Sequence, residues 1–241
     1  IQTLGASKVF LAGEPVSVPE WRSQNTVREL FFFLLAHPDS LTKDEIGLQL
    51  WPESSQQQLK VQFKNALYRM RRALGRDVVI FDKNRDTYGF NRTLDYEYDV
   101  ESFRADIQRA KNGPKAQAIV FYETAVKRYQ GSYLPDGDGV WVAEERERLW
   151  KEYLQAELTL VRHFLDRHEH HSALAHIHQV LSQEPCQEEA HRLAMQAYAA
   201  IGSQADLVRQ YEICKNALHD LLGVPPSPQT EKLYHQLLSE K

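Results

Sequence analysis

The sequence predicts an α+β winged helix followed by an all-α tetratricopeptide-like helical repeat domain, with the boundary between residues 94 and 95. Three observations predict this fold class. Short apolar strands and three amphipathic helices precede a β-hairpin in the first part. From residue 95 onward the apolar side chains follow the helical period almost throughout. Apolar positions there also recur after 34 residues, an interval typical of stacked helical pairs.

The first 36 residues are predicted to form short strands and then a helix. The strands are expected at 2–4, 8–11 and 14–18, because glycines separate short apolar runs. A helix over 24–36 is expected to bury one apolar stripe. The stripe consists of Val27, Leu30, Phe31, Leu34 and Leu35.

A second, shorter helix is predicted from a capping box. Thr42 and Glu45 have the spacing with which a hydroxyl and a carboxylate satisfy the amides at a helix start. We expect this helix to direct Ile46, Leu48 and Leu50 inward and to stop at Pro52. Trp51, just before the proline, is predicted to pack in the core, since large aromatic side chains mostly serve packing.

The third helix, predicted from Gln56 to about Gly75, carries the main functional signal. Ser54 and Gln57 are expected to form its capping box. Its buried stripe is predicted as Leu59, Phe63, Leu67, Met70 and Leu74. No acidic residue lies between Gln56 and Arg76, and the other faces are rich in amides and cations. Such a face indicates a polyanionic partner, although a merely solvated basic face is the simpler alternative.

The charge distribution favours a bounded DNA-binding surface. Residues 1–92 hold 13 Lys and Arg against 10 Asp and Glu, a net charge of +3. The remainder holds 16 against 23, a net charge of −7, so the chain is acidic overall at −4. A local basic patch on an acidic chain argues against general adhesion to nucleic acids.

A β-hairpin is predicted next, with strands at 78–81 and 87–90. Strands, three helices and a terminal hairpin together make a winged helix, whose third helix enters the major groove of double-stranded DNA. The hairpin tip is placed to reach phosphates or the minor groove. The predicted DNA-binding residues are Gln56, Gln57, Lys60, Gln62, Lys64, Asn65, Tyr68, Arg69, Arg71, Arg72, Lys83, Asn84 and Arg85.

Three stretches resemble the OmpR-type winged helix of SARP-type bacterial transcriptional activators. They are Thr3-Leu4-Gly5, Leu50-Trp51-Pro52 and the run 65–75. The resemblance implies that Arg69 reaches a base and Arg71 a phosphate. Gln56, Gln57, Gln58 and Val61 depart from the charged residues that many relatives carry there, so the preferred DNA sequence is not transferred.

The part after residue 95 is predicted to be nearly all helical. Asp99 is expected to cap a helix that buries Phe103, Ile107 and Ala110. Further helices are expected over 115–129, from about 139 to 164, and over 171–183, 187–201, 204–222 and 228–239. The long helix starting after Gly139 is predicted to direct Trp141, Leu149, Tyr153, Leu160 and Phe164 inward.

An internal repeat connects these helices. Ala173, Ile177 and Val180 recur 34 residues later as Leu207, Tyr211 and Cys214, and Phe164 recurs as Tyr198. Ala118, Tyr122 and Ala125 repeat the same pattern, which makes three repeats. Stacked repeats of this kind present a concave binding surface.

This second part resembles the bacterial transcriptional activator domain of SARP-type proteins. The matching stretches are 129–135, Trp141 with Glu145-Arg146, and 222–228. The resemblance implies contact with RNA polymerase, often its sigma factor, and self-association on tandem DNA repeats. The same pair of domains ends some larger regulators with an upstream ATPase region, and a start at Ile1 fits a piece of such a chain.

Other chemistry finds little support in the sequence. No nucleotide-binding loop, nucleophile elbow or catalytic constellation is present, so we expect neither an enzyme nor a cofactor. The run 136–139 superficially suggests calcium, but a helix start explains it better. Six histidines lie within 163–178, yet their spacing is not that of a zinc site, so metal binding or pH sensing is the weaker interpretation.

Two cysteines and no membrane-spanning run favour the cytoplasm.

The main alternative belongs to another class of protein. In it the chain is a protein-interaction scaffold of the tetratricopeptide type, and its winged helix does not read DNA sequence. The overall negative charge and the readiness of helical repeats to bind peptides support this alternative.

Overall fold

The structure is a computed structural model that describes residues 1–22 and 25–239. The predicted start of the second helix at Gln24 therefore lies outside the described residues. The helices are α1 (Pro19–Arg22), α2 (Asn25–Ala36), α3 (Lys43–Leu50), α4 (Gln56–Leu74), α5 (Asp99–Asn112), α6 (Lys115–Arg128), α7 (Val140–Asp166), α8 (His170–Gln183), α9 (Glu188–Ala200), α10 (Gln204–Leu222) and α11 (Pro228–Ser239). The strands are β1 (Phe10–Leu11), β2 (Glu14–Pro15), β3 (Leu41–Thr42), β4 (Val79–Asp82) and β5 (Thr87–Phe90).

These elements form two compact units. Unit 1 is Ile1–Ser102 with Gln130–Leu149, and unit 2 is Phe103–Tyr129 with Trp150–Lys241. The chain therefore passes through unit 1 twice. The domain boundary between residues 94 and 95 stays a prediction. The compact units divide the chain differently, because unit 1 continues to Ser102 and includes Gln130–Leu149.

Helix α2 forms the centre of unit 1. All five side chains of its predicted stripe are buried, and so are Phe32 and Phe33. Its aromatic side chains meet edge to face, with the ring centroids of Phe31 and Trp21 5.4 Å apart and those of Phe31 and Phe90 6.0 Å apart. A helix buried on nearly all sides is the usual centre of a small domain.

Helix α3 has the predicted capping box. The Glu45 amide donates to the Thr42 hydroxyl, and the Thr42 amide donates to the Glu45 carboxylate. Ile46 is buried as predicted, but Leu48 is 70 % exposed. The prediction for Leu48 was wrong because residues two apart in a helix point about 200° away from each other. Gly47 faces α4 so closely that a Cβ there would lie 1.9 Å from Leu59 Cδ1.

Helix α4 has the predicted length, but its capping box is displaced by one residue. The hydroxyl of Ser55, not Ser54, accepts from the Gln58 amide, and the Gln58 side chain accepts from the Ser55 amide. Ser54 instead donates to the Gln62 side chain. The two serines and the glutamines that follow fit the motif in either register, so the pattern alone does not select one. Leu59, Phe63 and Met70 are buried as predicted.

The hairpin β4–β5 follows at the predicted place and forms a sheet with β3. The strand order is β3–β5–β4, and all pairs are antiparallel. Tyr88 on β5 packs edge to face on Phe63 of α4, with 4.7 Å between the ring centroids. This contact fixes the hairpin β4–β5, the wing of the winged helix, to the buried side of α4.

The amino-terminal strands are shorter than predicted. Only β1 and β2 pair as strands there, and residues 2, 4 and 8 form isolated bridges. Leu4 pairs with Tyr133, and the Thr3 carbonyl accepts from the Leu134 amide at 2.8 Å. The first residues thus pair with a segment far along the chain, a partner that local patterns do not specify.

Asp99 holds this amino-terminal segment in place. Its carboxylate accepts from the Thr3 amide at 2.6 Å, the Leu4 amide at 2.8 Å and the Thr3 hydroxyl at 2.8 Å. The predicted role as a helix cap was wrong in position, because Asp99 is the first residue of α5 and also accepts from the Val100 amide. Thr3 and Leu4 are almost fully buried, so these bonds satisfy donors that water does not reach.

The segment Gln130–Leu149 completes unit 1. Arg146 donates to the carbonyls of Tyr133, Leu134 and Gly137, which fixes the turn before α7. Trp141 meets Phe33 of α2 edge to face, with 5.4 Å between the ring centroids. The run 136–139 lies just before α7, and the Gly139 carbonyl accepts from the amides of Val142 and Ala143 at the start of that helix.

Unit 2 consists of paired helices, and α9 packs against α8, α10 and α11. The repeat positions Ala173 and Val180, with their counterparts Leu207 and Cys214, are all buried. Tyr211 is half-buried and stacks on Tyr234 of α11, with ring centroids 3.9 Å apart. The helices predicted over 115–129, 171–183, 187–201, 204–222 and 228–239 begin and end within one residue of the observed ones, whereas α7 continues to Asp166.

Buried charges in unit 2 have partners. Asp106 on α5 accepts from Arg128 of α6 at 2.7 Å. Glu157, which is 2 % exposed, lies 2.6 Å from His176 Nδ1. The Glu188 carboxylate accepts hydrogen bonds from Ser227 and Thr230, which ties α9 to the start of α11. Pairing of this kind removes the penalty of an isolated buried charge.

Candidate nucleic-acid interface

The polar residues of α4 lie on the side of the helix opposite the core. Most of those predicted to bind DNA are exposed, namely Gln56, Gln57, Lys60, Gln62, Lys64, Asn65, Tyr68 and Arg72. Arg69 and Arg71 are partly buried. The structure therefore brings eight of the predicted residues to one accessible surface and holds two arginines closer to the protein.

Three cations on this surface have no acidic partner. Lys60, Lys64 and Arg69 form no ion pair with any residue that the structure describes. Because α4 carries no Asp or Glu, their field is not neutralised locally. Unpaired cations on a rigid helix are suited to a polyanion, since they lose little by exchanging water for phosphate oxygens or base edges.

The two arginines near the end of α4 make internal contacts. Arg71 Nη2 donates to the Val79 carbonyl on β4 at 3.1 Å, so this side chain links α4 to the hairpin β4–β5. Arg72 Nε lies 2.9 Å from the carboxylate of Glu20 on α1, although its side chain remains 63 % exposed. Arg72 can therefore exchange its surface partner for another anion, whereas Arg71 also supports the hairpin.

A concave basic surface surrounds this end of the helix. It is lined by Lys64, Leu67, Tyr68, Arg71, Arg72 and Arg76. Arg76 was missing from the predicted set because it follows Gly75 and belongs to the short 3₁₀ turn Arg76–Val78 rather than to α4. The signal that identifies it is the continuation of the acid-free run beyond the end of the helix.

The wing tip presents three further predicted residues. Lys83, Asn84 and Arg85 are all exposed in the turn between β4 and β5. The Asp82 carboxylate accepts from the Asn84 amide at 2.8 Å and from the Arg85 amide at 3.4 Å. Asp86 has a positive φ of 52°, which closes the turn. The Asp82 side chain thus shapes the tip. Arg85 Nε also lies 4.0 Å from the Asp82 carboxylate, but the Arg85 side chain remains 83 % exposed.

The other clusters considered from the sequence do not form a comparable site. Within residues 1–22 and 25–239, no three His, Cys, Asp or Glu side chains are arranged to hold a metal. His176 contacts Glu157, and His178 contacts the Tyr198 hydroxyl at 3.3 Å. The helices of the same described residues are too short or too polar to cross a membrane.

A winged helix with an exposed basic third helix, joined to helical repeats, is an architecture found in transcription regulators. The sequence profile of the bacterial transcriptional activator domain matches residues 98–238, more than half of the chain, and the chain belongs to this family. A search of curated proteins finds no match.

Among solved structures, the fold matches that of Mycobacterium tuberculosis EmbR in complex with a low-affinity phosphopeptide. The TM-score is 0.79 at 20 % sequence identity, and the match covers 100 % of this chain. The chain spans 65 % of the length of that protein. The likeness confirms the predicted fold class, a winged helix followed by a helical repeat domain.

Proposed function

We propose that the protein is a sequence-specific regulator that binds promoter DNA through its winged helix. Helix α4 lies in the major groove of double-stranded DNA, and the wing contacts the backbone beside it. The observation that supports this most strongly is the acid-free exposed face of α4, with Lys60, Lys64 and Arg69 unpaired among the described residues. An acidic chain with one acid-free, basic helix face is suited to one bounded anionic partner.

The residues divide by chemistry into two groups. Gln57, Asn65 and Arg69 have the long amide and guanidinium groups that read adenine and guanine edges. Lys60, Lys64, Arg72, Lys83 and Arg85 supply point charges for phosphates, which set the register on the duplex. For Arg71 we propose two roles, a phosphate contact and support of the wing through the Val79 carbonyl.

The partners of the helical repeats are also a proposal. RNA polymerase, through its sigma factor, is the partner that membership of an activator family favours. A second copy of the chain, bound to an adjacent DNA repeat, is expected to occupy part of the same surface. We place these events in the cytoplasm, with residues 1–94 as the DNA-binding domain and 95–241 as the activator domain.

The first experiment is selection of bound duplexes from a random DNA pool at near-physiological salt. A sharp motif repeated at a helical-turn spacing is the expected result. A pool without a motif, but with binding that weakens steeply with salt, means backbone affinity without sequence readout. No binding at all favours the scaffold alternative, in which the repeats bind proteins and the winged helix does not read DNA.

Substitution of Arg69 then tests the proposed readout. Arg69→Ala should remove about 1–3 kcal/mol of discrimination between the selected site and random DNA if its guanidinium holds a base. Arg209→Ala is the matched control, because Arg209 lies in unit 2 and its side chain is 73 % exposed. Equal losses on selected and random DNA would assign Arg69 to the backbone instead.

A further inference from the structure

Val61 occupies the outermost position of the recognition helix. It lies nine residues before Met70, which is fully buried, and nine residues in an α-helix correspond to a rotation of about 180°. The side chain is 55 % exposed, although valine is normally a core residue. In the proposed complex this position enters the groove most deeply.

Tyr68 extends the same line along the helix. It follows Val61 by seven residues, which is two turns or about 10 Å, close to the rise of three base pairs. Tyr68 is 63 % exposed and lies nine residues after the buried Leu59. Val61 and the aromatic ring of Tyr68 thus lie along the middle of the exposed face, while amides and cations flank them.

The residues around Val61 are polar and carry no negative charge. Gln57 and Asn65 lie one turn away on either side, and Lys64 lies three residues on. The amide oxygens of Gln58 and Gln62 already accept hydrogen bonds from Ser55 and Ser54. Valine has no donor or acceptor, so it discriminates only through nonpolar contact and the exclusion of water.

We infer that Val61 determines specificity by contacting the C5-methyl group of a thymine in the major groove. This inference rests on the proposed function. The thymine methyl is the apolar group that base pairs present in that groove, and an aliphatic side chain is its natural partner. Val61 therefore selects a T·A pair over a C·G pair at one position near the centre of each site. The flanking Gln57 and Asn65 read the neighbouring base edges.

The test removes the thymine methyl group from the DNA and, separately, shortens the Val61 side chain of the protein. In the selected site, each thymine is replaced singly by deoxyuridine, which keeps the base pair and lacks only the methyl. At one thymine we expect wild-type affinity to fall about 4-fold, the value of one buried methyl-sized group. The affinity of Val61→Ala for the unmodified site should be lower than that of the wild type by a similar factor. Deoxyuridine at that position should not lower the affinity of this variant further.

Val120→Ala is the matched control, since Val120 lies in unit 2 and is 59 % exposed. It should bind both duplexes as the wild type does. If no deoxyuridine position shows coupling to Val61 while the selected motif and the Arg69 effect stand, the inference on Val61 is overturned and the proposed function is retained. If no motif emerges from selection, the proposed function fails and the inference falls with it. An equal weakening of Val61→Ala on random DNA also overturns it.

Discussion

Replacement of Asp99 should destabilise unit 1 more than any surface substitution does. The carboxylate accepts four hydrogen bonds, two of them from the amides of Thr3 and Leu4. In Asp99→Ala those amides keep their burial and lose their acceptor. A buried unsatisfied donor costs about 1–3 kcal/mol, and bonds to one shared carboxylate are not additive. We expect a total loss of about 3–5 kcal/mol.

Two variants separate charge from geometry. Asp99→Asn keeps one oxygen and loses the charge, so it should cost roughly half as much as Asp99→Ala. Thr3→Val removes the hydroxyl and with it the side-chain bond to Asp99, and it should cost about 1 kcal/mol. Asp95→Ala is the matched control, because Asp95 is an exposed carboxylate four residues before Asp99. It should leave the stability of unit 1 unchanged.

The assay is denaturant unfolding combined with hydrogen exchange. Mass spectrometry of residues 1–12 and 130–137 reports the paired segments directly, because their amides should exchange together when Asp99 is lost. Unfolding is followed separately for each unit, since a two-unit chain does not unfold in one step. A loss below 1 kcal/mol for Asp99→Ala, or protection of residues 1–12 equal to that in the wild type, would refute the reasoning.

Three further substitutions test other parts of the structure. Arg146→Lys should cost unit 1 about 2–3 kcal/mol in urea unfolding, since the single nitrogen of lysine cannot take both the Nε and Nη2 positions from which Arg146 reaches the three carbonyls; a neutral result contradicts this. Gly5→Ala should lower the thermal midpoint, because φ is +86° and a Cβ would lie 3.0 Å from the Gln130 carbonyl. Burial tends to raise the pKa of Glu188, but bonds from Ser227 and Thr230 outweigh it and lower the pKa below 4.5. Glu188→Gln should therefore destabilise unit 2 at pH 7. The difference from the wild type should begin to shrink as pH falls below the ordinary glutamate pKa of about 4.3 and should be smallest below the lowered pKa of folded Glu188; a difference that does not change with pH refutes this.

The local elements of this fold could be predicted because their signals are local. Helix α4 is recognisable from its apolar stripe and from its terminal Gly75, which has a φ of 107°. The capping box of α3 is equally legible. The register of the α4 capping box could not be predicted, because Ser54 and Ser55 both fit the motif and only the packing of the helix selects one of them.

The long-range contacts could not be predicted from the same patterns. Nothing near Thr3 indicates that residues 132–134 are its partner, and Asp99 resembles an ordinary helix start. The sequence predicts which residues of the candidate site share one exposed surface, since the spacing of the apolar residues specifies which face of α4 is polar. The internal bonds of Arg71 and Arg72 depend on β4 and α1, and the short helix α1 itself was not predicted.

The pairing of the first residues with residues 132–134 also has a consequence for folding kinetics. The bond between the Thr3 carbonyl and the Leu134 amide closes a loop of about 130 residues, which costs roughly 2 kcal/mol more entropy than a ten-residue turn. At the usual rate of synthesis, the ribosome needs about 7–26 s to make that stretch. Until then the backbone at Thr3 lacks its partner strand, and the Phe33 ring lacks its contact with Trp141. The winged helix is thus synthesised before the segment that completes it, and we expect its refolding to be slow for its size.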